Sequence, residues 1–584
     1  MTTPSRLARR DWLRRTASIV GSAAAATIMA EGADAAEQAV NPAVPVAPPA
    51  APGASASRTV IAPSTRNIVE TAGGRVRGFV KNGILTFRGV PYAASTAGAA
   101  RFLAPMEVVP WAGVRSSMAP GFACPQAFHV PEGRRLGWSH DEEAFMFEWD
   151  DGQPGEDCLR VNVWTPSLSG AAKRPVMVWI HGGGYTSGSS NELRMYDGEN
   201  LAKRGDVVVV TLNHRLGALG YLNLLEYGEK WGNAVNVGQL DLVAALDWVR
   251  ENIGLFGGDA TRVMVFGQSG GGSKIGTLMG MPSAKGLFHR AAIQSGSSLR
   301  QTSPDRSAAL AAATLQELGI TRGTIDRLQE VPAEAIVSAG VRAQRKLQST
   351  AAPSTLGGEV VDWGPTVDGR SIPRHTWDPA APEYSATVPL LVGSVLNETG
   401  NSIQAANPAL DVMSLDELRL QLAAERGARS EEILAIFQKK FPKATPYDIL
   451  SRITGMTARS NAVTQATLKA EQGTAAAYLY WFQWQTPVLD GRPRAFHGAE
   501  LPFVFANTDR CAAMTGGGGD ARTLAGKIAD AWIAFARTGK PGHAGLPAWS
   551  AFSPASGQTM VFDSTSVVKN HPDREERDVL RIQL

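Results

Sequence analysis

Six short apolar runs, rich in β-branched or aromatic residues, recur along the chain without polar alternation. Continuous runs of this length are typical of strands covered on both faces, as in a parallel sheet. Between them lie segments with apolar residues at helical spacing, of which 240–256 and 521–541 are the clearest. The second helix is predicted to stop at Gly539 and Pro541. The predicted strands are Val176–Ile180, Val207–Leu212, Val263–Phe266, Ala291–Ile293, Val388–Val392 and Tyr478–Phe482.

Strands that alternate with helices indicate an α/β fold. We expect a large, mostly parallel central sheet that is covered by helices on both faces. Residues 300–350 and 405–470 are mostly helical in pattern, and no internal repeat is visible.

The beginning of the chain has a different composition. Paired arginines, a short Ala-rich apolar core and small residues up to Ala35 predict an export signal of the twin-arginine type over residues 1–35. A disordered basic tail is the alternative. Residues 36–67 are rich in Pro and Ala and predict a linker, which leaves 68–584 as the folded domain. The mature protein is therefore expected to be exported, periplasmic or secreted.

Composition narrows the possible partners. The chain has 584 residues, of which 44% are hydrophobic and 19% charged, as in ordinary globular enzymes. A formal net charge of +3 gives no reason to expect a nucleic-acid partner. No run of 18 apolar residues predicts an integral membrane segment. We expect a monomer or a weak oligomer that acts on a small molecule.

The three cysteines are Cys124, Cys158 and Cys511. An exported protein can keep disulfides, and Cys124 and Cys158 are the near pair. Closing that loop would stabilise the fold by about 3–4 kcal/mol in the chain-entropy model. Cys511 is then expected to be buried and reduced. None of the three has the spacing of a metal site, and no metal is expected.

Two functional motifs partly fit the stretch VFGQSGGGSK at 265–274. A strand that runs into G-x-S-x-G is the pattern of a nucleophile elbow, here centred on Ser269. The glycine spacing also fits a phosphate-binding loop, but Ser273 stands where that loop needs Lys. Lys274 follows one residue later, about 100° further round a helix. We therefore take Ser269 as the candidate nucleophile, with an ordinary glycine-rich turn as the alternative.

A second glycine-rich loop, beginning at His181, follows a predicted strand upstream of Ser269. Oxyanion stabilisation needs backbone N–H groups that converge on one point, and glycine allows the close approach. An HGGG loop upstream of G-x-S-x-G is the arrangement expected of the α/β-hydrolase fold. The predicted donors are Gly183, Gly184 and Gly270, and His181 is interpreted as structural.

In this fold the nucleophile is followed along the chain by the acid and then by the base. His497 is preferred as the base because it follows the predicted strand 478–482 and a loop, near the carboxyl end of the sheet. The acid is predicted to be Glu398, just after a buried strand, where a carboxylate can orient an imidazole. Asp362 and Asp368 are alternatives for the acid, and the other histidines considered are His375, His543 and His571.

Eight blocks of sequence resemble the type-B carboxylesterase family, which includes carboxylesterases and cholinesterases. In their usual order they are GEDCLRVNVWTP, GGGYTSG, GQLDLVAALDWVRENIGLFGGD, FGQSGGGSK, GLFHRAAIQSGS, PTVDG, LNETG and HGAELPFVF. The resemblance covers the chain from about Ile68 onward. The resemblance to bacterial members of the para-nitrobenzyl-esterase type is stronger than the resemblance to cholinesterases, because Gln268 stands where cholinesterases carry Glu.

The resemblance implies a serine carboxylic-ester hydrolase without a cofactor, acting through an acyl-enzyme with the triad Ser269, Glu398 and His497. It implies the same oxyanion hole as above, a Cys124–Cys158 disulfide, and Ser295 as a support for the acid. An amidase or carbamate hydrolase, or a catalytically silent binding protein on the same fold, are the alternatives. The composition of the loop between the two cysteines, which is aromatic and acidic, leaves two interpretations open: it overhangs the site and its aromatic residues line a pocket, or these residues pack the loop on itself. The aromatic residues are Trp138, Phe145, Phe147 and Trp149.

Overall fold

A twelve-stranded sheet and a three-stranded sheet carry the fold. The computed structural model describes residues 59–130, 141–350, 362–398 and 407–580. The strands are β1 (Val60–Ile61), β2 (Ile68–Thr71), β3 (Gly74–Arg77), β4 (Phe79–Lys81), β5 (Ile84–Pro91), β6 (Val114–Ser116), β7 (Arg160–Thr165), β8 (Arg174–Ile180), β9 (Val208–Leu212), β10 (Gly258–Gln268), β11 (Arg290–Gln294), β12 (Leu390–Val395), β13 (Ala477–Phe482), β14 (Gln558–Phe562) and β15 (Val567–Asn570).

Helices occupy most of the segments between the central strands. The α-helices are α1 (Asp141–Phe147), α2 (Glu199–Gly205), α3 (Gly217–Tyr221), α4 (Val237–Asn252), α5 (Gly270–Leu278), α6 (Pro304–Glu317), α7 (Ala333–Thr350), α8 (Leu415–Arg426), α9 (Ser430–Lys440), α10 (Pro446–Gln472), α11 (Leu501–Val504), α12 (Ala512–Thr515), α13 (Gly519–Thr538) and α14 (Arg574–Leu580).

The order of the large sheet is β1-β4-β5-β7-β9-β8-β10-β11-β12-β13-β14-β15. Every neighbouring pair from β9 to β14 is parallel, and the strands outside that range pair antiparallel. The six predicted strands correspond to β8 to β13, all within the parallel part. The predicted α/β-hydrolase fold, with its large, mostly parallel sheet and surrounding helices, is confirmed. Strands β2, β3 and β6 form the small separate sheet.

Each central strand contributes to two hydrophobic cores, one on each face of the sheet. In β8, Val176, Val178 and Ile180 belong to one core, and Met177 and Trp179 belong to the other. All five side chains are fully buried. A strand covered on both faces needs an apolar residue at every position, which is why these runs show no polar alternation.

Both of the clearest predicted helices are present. The pattern at 240–256 lies in α4, which continues as a 3₁₀ turn over Ile253–Phe256. The pattern at 521–541 lies in α13. Gly539 ends α13 as predicted, with a φ of 74° and an N–H that donates to the Phe535 carbonyl at 2.8 Å. Glycine reaches that left-handed conformation without a steric penalty.

The large sheet begins earlier than predicted. Strand β1 (Val60–Ile61) lies inside the predicted linker 36–67 and pairs antiparallel with β4. Both of its residues are more than half exposed, and a run of two apolar residues is too short to show the pattern of a strand. The predicted signal at 1–35 lies outside the described residues. Within the described ranges, no helix combines the length and apolar character needed to cross a membrane.

The predicted disulfide is not present in the structure. All three cysteines are buried free thiols. The Cys124 and Cys158 side chains are nonetheless neighbours, and the hydrogen bond to Cys124, together with burial, raises the pKa of Cys158. Cys511 is buried and reduced as expected, and burial raises its pKa to about 12.

Candidate active site

Ser269 forms the sharp turn between β10 and α5. Its backbone has a φ of 56° and a ψ of −127°, outside the conformations that a serine ordinarily adopts. Such a conformation costs about 1–3 kcal/mol and persists only where the surroundings impose it. The Ser269 N–H donates to the carbonyl of Gln294 at the end of β11, at 2.8 Å.

Glycines around Ser269 allow three elements to approach one another. A Cβ atom on Gly271 would stand 2.0 Å from the Ile180 carbonyl oxygen of β8, and one on Gly267 would stand 2.7 Å from the same oxygen. A Cβ on Gly296 would stand 2.1 Å from the Ser269 carbonyl oxygen. The glycines of G-x-S-x-G are therefore required by the packing of β8, β10 and α5, as well as by the turn.

The glycine loop after β8 lies against this turn. Gly183 and Gly184 have φ values of 77° and 60°. A Cβ atom on Gly270 would lie 2.5 Å from the Gly184 nitrogen, so the two backbones are in direct contact. The N–H groups of Gly183, Gly184 and Gly270 donate to no partner among the residues that the structure describes. The structure thus leaves three backbone donors unpaired around Ser269.

Glu398 and His497 meet because β12 and β13 are parallel neighbours. In the segments that follow those strands, Asn397 and Phe496 form an isolated bridge that joins the two segments. His497 Nδ1 lies 2.5 Å from Glu398 Oε2. The other oxygen of Glu398 accepts a hydrogen bond from the Val395 N–H at 3.0 Å.

Gln268 makes a contact that the sequence did not predict. Its Nε2 lies 3.0 Å from His497 Nε2. An amide nitrogen only donates, so His497 Nε2 is the acceptor. The ring proton then sits on Nδ1, which donates to Glu398 Oε2. This tautomer leaves a lone pair on the nitrogen that faces the cavity.

Glu500 is a second carboxyl group near the imidazole, and it too was missed by sequence analysis. It is buried, and its Oε1 accepts a hydrogen bond from Gln294 Nε2 at 3.3 Å. Burial and the charge of Glu398 raise the pKa of Glu500 to about 7. Burial opposes protonation of His497, but the hydrogen bond and charge of Glu398, together with Glu500, outweigh it and raise the pKa of His497.

A cavity of about 380 Å³ opens above Ser269. Its lining residues are Glu143, Phe147, Trp149, Gly182, Gly183, Ser187, Glu192, Leu193, Tyr196, Gln268, Ser269, His497, Gly498 and Leu501. Phe147 and Trp149 stack with their ring centroids 4.9 Å apart, so two of the predicted aromatic residues line the cavity. Phe145 is 56% exposed and does not line it, and Trp138 lies outside the described residues.

Ser295 does not support the acid as the resemblance implied. Its hydroxyl is buried and has no hydrogen-bond partner among the described residues, and the Val395 N–H binds Glu398 instead. The chain leaves β11 at Ser295 with a φ of 46°. That conformation still directs the Ser295 N–H to the Gly393 carbonyl, at 2.8 Å.

The alternative histidines and acids lie elsewhere. His543 and His571 bind backbone carbonyls of Lys527 and Ala555, and His375 Nδ1 accepts from the Gln301 N–H. Asp368 accepts from the N–H groups of Arg370 and Ile372, as expected of a turn residue. None of these side chains lines the cavity, and neither does Asp362.

His181 is fully buried, as expected of a structural residue. Its ring stacks on that of His214 with the centroids 4.9 Å apart. A larger cavity of about 500 Å³, lined mostly by polar and charged side chains, contains none of the candidate residues. In the described ranges, no group of three or more His, Cys, Asp or Glu residues is placed to hold a metal ion.

Comparison with known proteins decides the family. A model of the carboxylesterase family matches residues 65–580. The chain belongs to the carboxylesterase family. The resemblance inferred from the sequence blocks is therefore confirmed, and the protein is a carboxylic ester hydrolase.

Curated relatives and solved structures agree with this carboxylesterase assignment. The para-nitrobenzyl esterase of Bacillus subtilis (strain 168) is 35% identical over 518 residues, which cover 88% of this chain and 99% of the relative. The phenmedipham hydrolase of Pseudarthrobacter oxydans is 32% identical, over 84% of this chain and 93% of the relative. An esterase of Clostridium hathewayi that can hydrolyse aliphatic aromatic polyesters has a TM-score of 0.77 at 33% identity, over 90% of this chain and 100% of that one.

We expect Gly271→Ala to unfold at a lower temperature than the wild type and to lose activity. The new methyl group would collide with the Ile180 carbonyl, and overpacking of this kind costs about 1–3 kcal/mol. Gly323→Ala is the matched control, because a Cβ there meets nothing within 4 Å. Thermal unfolding and ester hydrolysis measure both effects. Equal stability of Gly271→Ala and Gly323→Ala would contradict the packing argument.

Proposed function

We propose that this carboxylesterase hydrolyses small-molecule esters through an acyl-enzyme with Ser269 as nucleophile, His497 as base and Glu398 as the acid that orients it. The observation that carries the proposal is the 2.5 Å contact between His497 Nδ1 and Glu398, with His497 and Ser269 lining one cavity. The glycine loop supplies unpaired N–H groups at the same place.

In the first half of the proposed reaction, His497 Nε2 takes the Ser269 hydroxyl proton while Oγ attacks the ester carbonyl carbon. Gly183, Gly184 and Gly270 donate to the oxygen that becomes negative. His497 then gives the proton to the alcohol oxygen as the bond between carbon and that oxygen breaks. Because Gln268 occupies the Nε2 lone pair in the free protein, Ser269 has to displace it before attack.

In the second half, His497 takes a proton from water, whose oxygen attacks the acyl carbon. The bond to Ser269 Oγ breaks, and Oγ recovers the proton from His497. One ester and one water thus give one acid and one alcohol. Glu398 stabilises the imidazolium in both halves without being protonated.

The class of ester is proposed from the lining of the cavity. The stacked Phe147 and Trp149 rings offer an apolar surface for an aromatic acyl or alcohol group. The name of the relative from Bacillus subtilis, a para-nitrobenzyl esterase, agrees with that preference. We therefore propose esters with an aromatic group as preferred substrates.

Ser269→Ala is expected to lower kcat for p-nitrophenyl acetate by about 10⁴-fold or more, and Glu398→Gln by about 10³–10⁴-fold. Ser273→Ala is the matched control: its hydroxyl donates to the Gly296 carbonyl at 3.0 Å and to the Ser269 carbonyl at 3.5 Å, and the residue does not line the cavity, so the change removes a neighbouring hydroxyl but keeps the nucleophile. Full turnover by Ser269→Ala would overturn the proposal.

The same assay with matched substrates separates the alternatives. A higher kcat/KM for p-nitroacetanilide than for p-nitrophenyl acetate would favour an amidase. Absence of both wild-type turnover and labelling of Ser269 by an organophosphate would favour a silent binding protein. Benzyl and ethyl esters of one acid test the proposed aromatic preference.

Glu500→Gln is expected to move the acidic limb of the kcat/KM profile to lower pH. The reaction needs neutral His497. Glu500, with a pKa of about 7, is partly ionised in the pH range of that limb, and its ionised fraction favours the imidazolium, so removing it should lower the pKa of His497. Gln268→Glu is the opposite control, because a carboxylate beside His497 Nε2 favours the imidazolium and should move the limb to higher pH. A profile of Glu500→Gln that coincides with that of the wild type would show that Glu500 does not influence the base.

We also propose that the chain is exported and that Cys124 and Cys158 become joined in an oxidising compartment. The support is the signal-like sequence at 1–35 and the adjacency of the two buried thiols. Protein purified from the periplasm or medium is expected to begin near residue 36 and to show one free thiol after denaturation without reductant. Three free thiols in that material would contradict the disulfide, and an intact N-terminus would contradict the signal.

A further inference from the structure

Lys274 is a buried lysine that the proposed reaction does not use. It lies in α5, five residues after Ser269, and its side chain is completely inaccessible to solvent. Its Nζ donates to the carbonyl oxygen of His181 at 3.1 Å and to that of Gly182 at 3.4 Å. Burying an ammonium group is costly, so a lysine at this place needs a physical reason.

The two carbonyls belong to the loop that carries the proposed oxyanion donors. The Gly182 oxygen also faces His181 Nδ1 at 3.1 Å. In a planar trans peptide, the C=O of one residue and the N–H of the next point in opposite directions. The Gly182 carbonyl therefore points to Lys274, and the Gly183 N–H of the same peptide points away from it. Gly182, Gly183 and Ser269 line the cavity together.

Two histidines, His181 and His214, lie beside Lys274, and burial disfavours the charged form of each. Burial lowers the pKa of His181 and of His214 well below the usual value, and the charge of Lys274 lowers both further. Burial lowers the pKa of Lys274 to about 7 against the opposing charge of Glu192. Its ammonium and amine forms both donate hydrogen bonds, so the contacts to the loop do not depend on which form is present.

We infer that Lys274 is a positioning residue, which holds and polarises the Gly182–Gly183 peptide so that the Gly183 N–H faces the oxyanion. The inference rests on the proposed function, because it presumes that Gly183 is an oxyanion donor. A donor that is fixed before the reaction acts on the charge that develops in the transition state. Loss of Lys274 should therefore lower kcat and leave KM nearly unchanged.

A second buried lysine provides a matched control. Lys469 in α10 is also inaccessible, and its Nζ donates to the Ser385 and Ala386 carbonyls at 3.0 and 2.8 Å. Burial lowers the pKa of Lys469 to about 8. Those two carbonyls lie outside the glycine loop, and Lys469 does not line the cavity. Removal of Lys469 tests the general effect of losing a buried lysine that binds backbone oxygens.

The experiment compares Lys274→Met, Lys274→Gln and Lys469→Met in the full chain. It measures kcat and KM for p-nitrophenyl acetate and the Kd of an aryl trifluoromethyl ketone, which Ser269 converts to a tetrahedral oxyanion. Lys274→Met is expected to lower kcat by about 10–100-fold, since complete loss of one oxyanion donor costs about 10²–10³-fold. Its KM should change less than twofold, and ketone binding should weaken by a factor similar to the loss of kcat.

Lys274→Gln keeps a donor but no charge, and its kcat should lie between those of Lys274→Met and the wild type. Lys469→Met should keep kcat within twofold while its melting temperature falls. Wild-type kcat in Lys274→Met would overturn the inference, as would an equal loss of kcat in Lys469→Met. Should Lys274→Met not fold, wild-type kcat in folded Lys274→Gln would overturn it.

Failure of the proposed function is distinguishable from failure of this inference. If the proposed function is wrong, Ser269→Ala keeps its turnover whatever happens at Lys274. If only the inference is wrong, Ser269→Ala is inactive while Lys274→Met turns over and binds the ketone like the wild type.

Discussion

The close approach of β8, β10 and α5 is the constraint on which the site depends. Ser269 has a backbone conformation that serine avoids, and the surrounding glycines let the two strands and the helix meet at distances that no side chain allows. The same contacts press the loop at Gly183 and Gly184 against the start of α5. The sheet and both of its hydrophobic cores hold these contacts in place. The packing of the folded chain therefore maintains the unfavourable backbone conformation of Ser269.

Electrostatics around His497 follow from which strands are neighbours. Parallel pairing of β12 with β13 places Glu398 beside the imidazole, while Gln268 reaches the other ring nitrogen from the end of β10. Glu500 adds a second carboxyl group whose pKa burial brings near neutrality. The imidazole is thereby held in one tautomer and kept basic by groups that come from three different parts of the chain.

Buried polar side chains hold the backbone carbonyls of the proposed oxyanion loop. His181 Nδ1 and Lys274 Nζ both contact the Gly182 carbonyl oxygen, which fixes the carbonyl end of that peptide. In the sequence, Lys274 lies one residue beyond the position at which a phosphate-binding loop needs Lys. In the folded protein, Lys274 lies in α5 five residues after Ser269, and its Nζ binds the carbonyls of His181 and Gly182 at the start of the glycine loop.

The central strands, the two clearest helices and the candidates Ser269, Glu398 and His497 could be predicted from sequence, because apolar runs, short glycine motifs and chain order are local properties. The contacts that these residues make depend on the folded chain. Strand β1 was missed because two residues are too short a run to show a periodic pattern, and Glu398 binds the Val395 N–H instead of Ser295. The contacts of Gln268, Glu500 and Lys274 join residues far apart in the chain. Such contacts cannot be predicted from spacing along the sequence, because they depend on which strands are neighbours in the sheet.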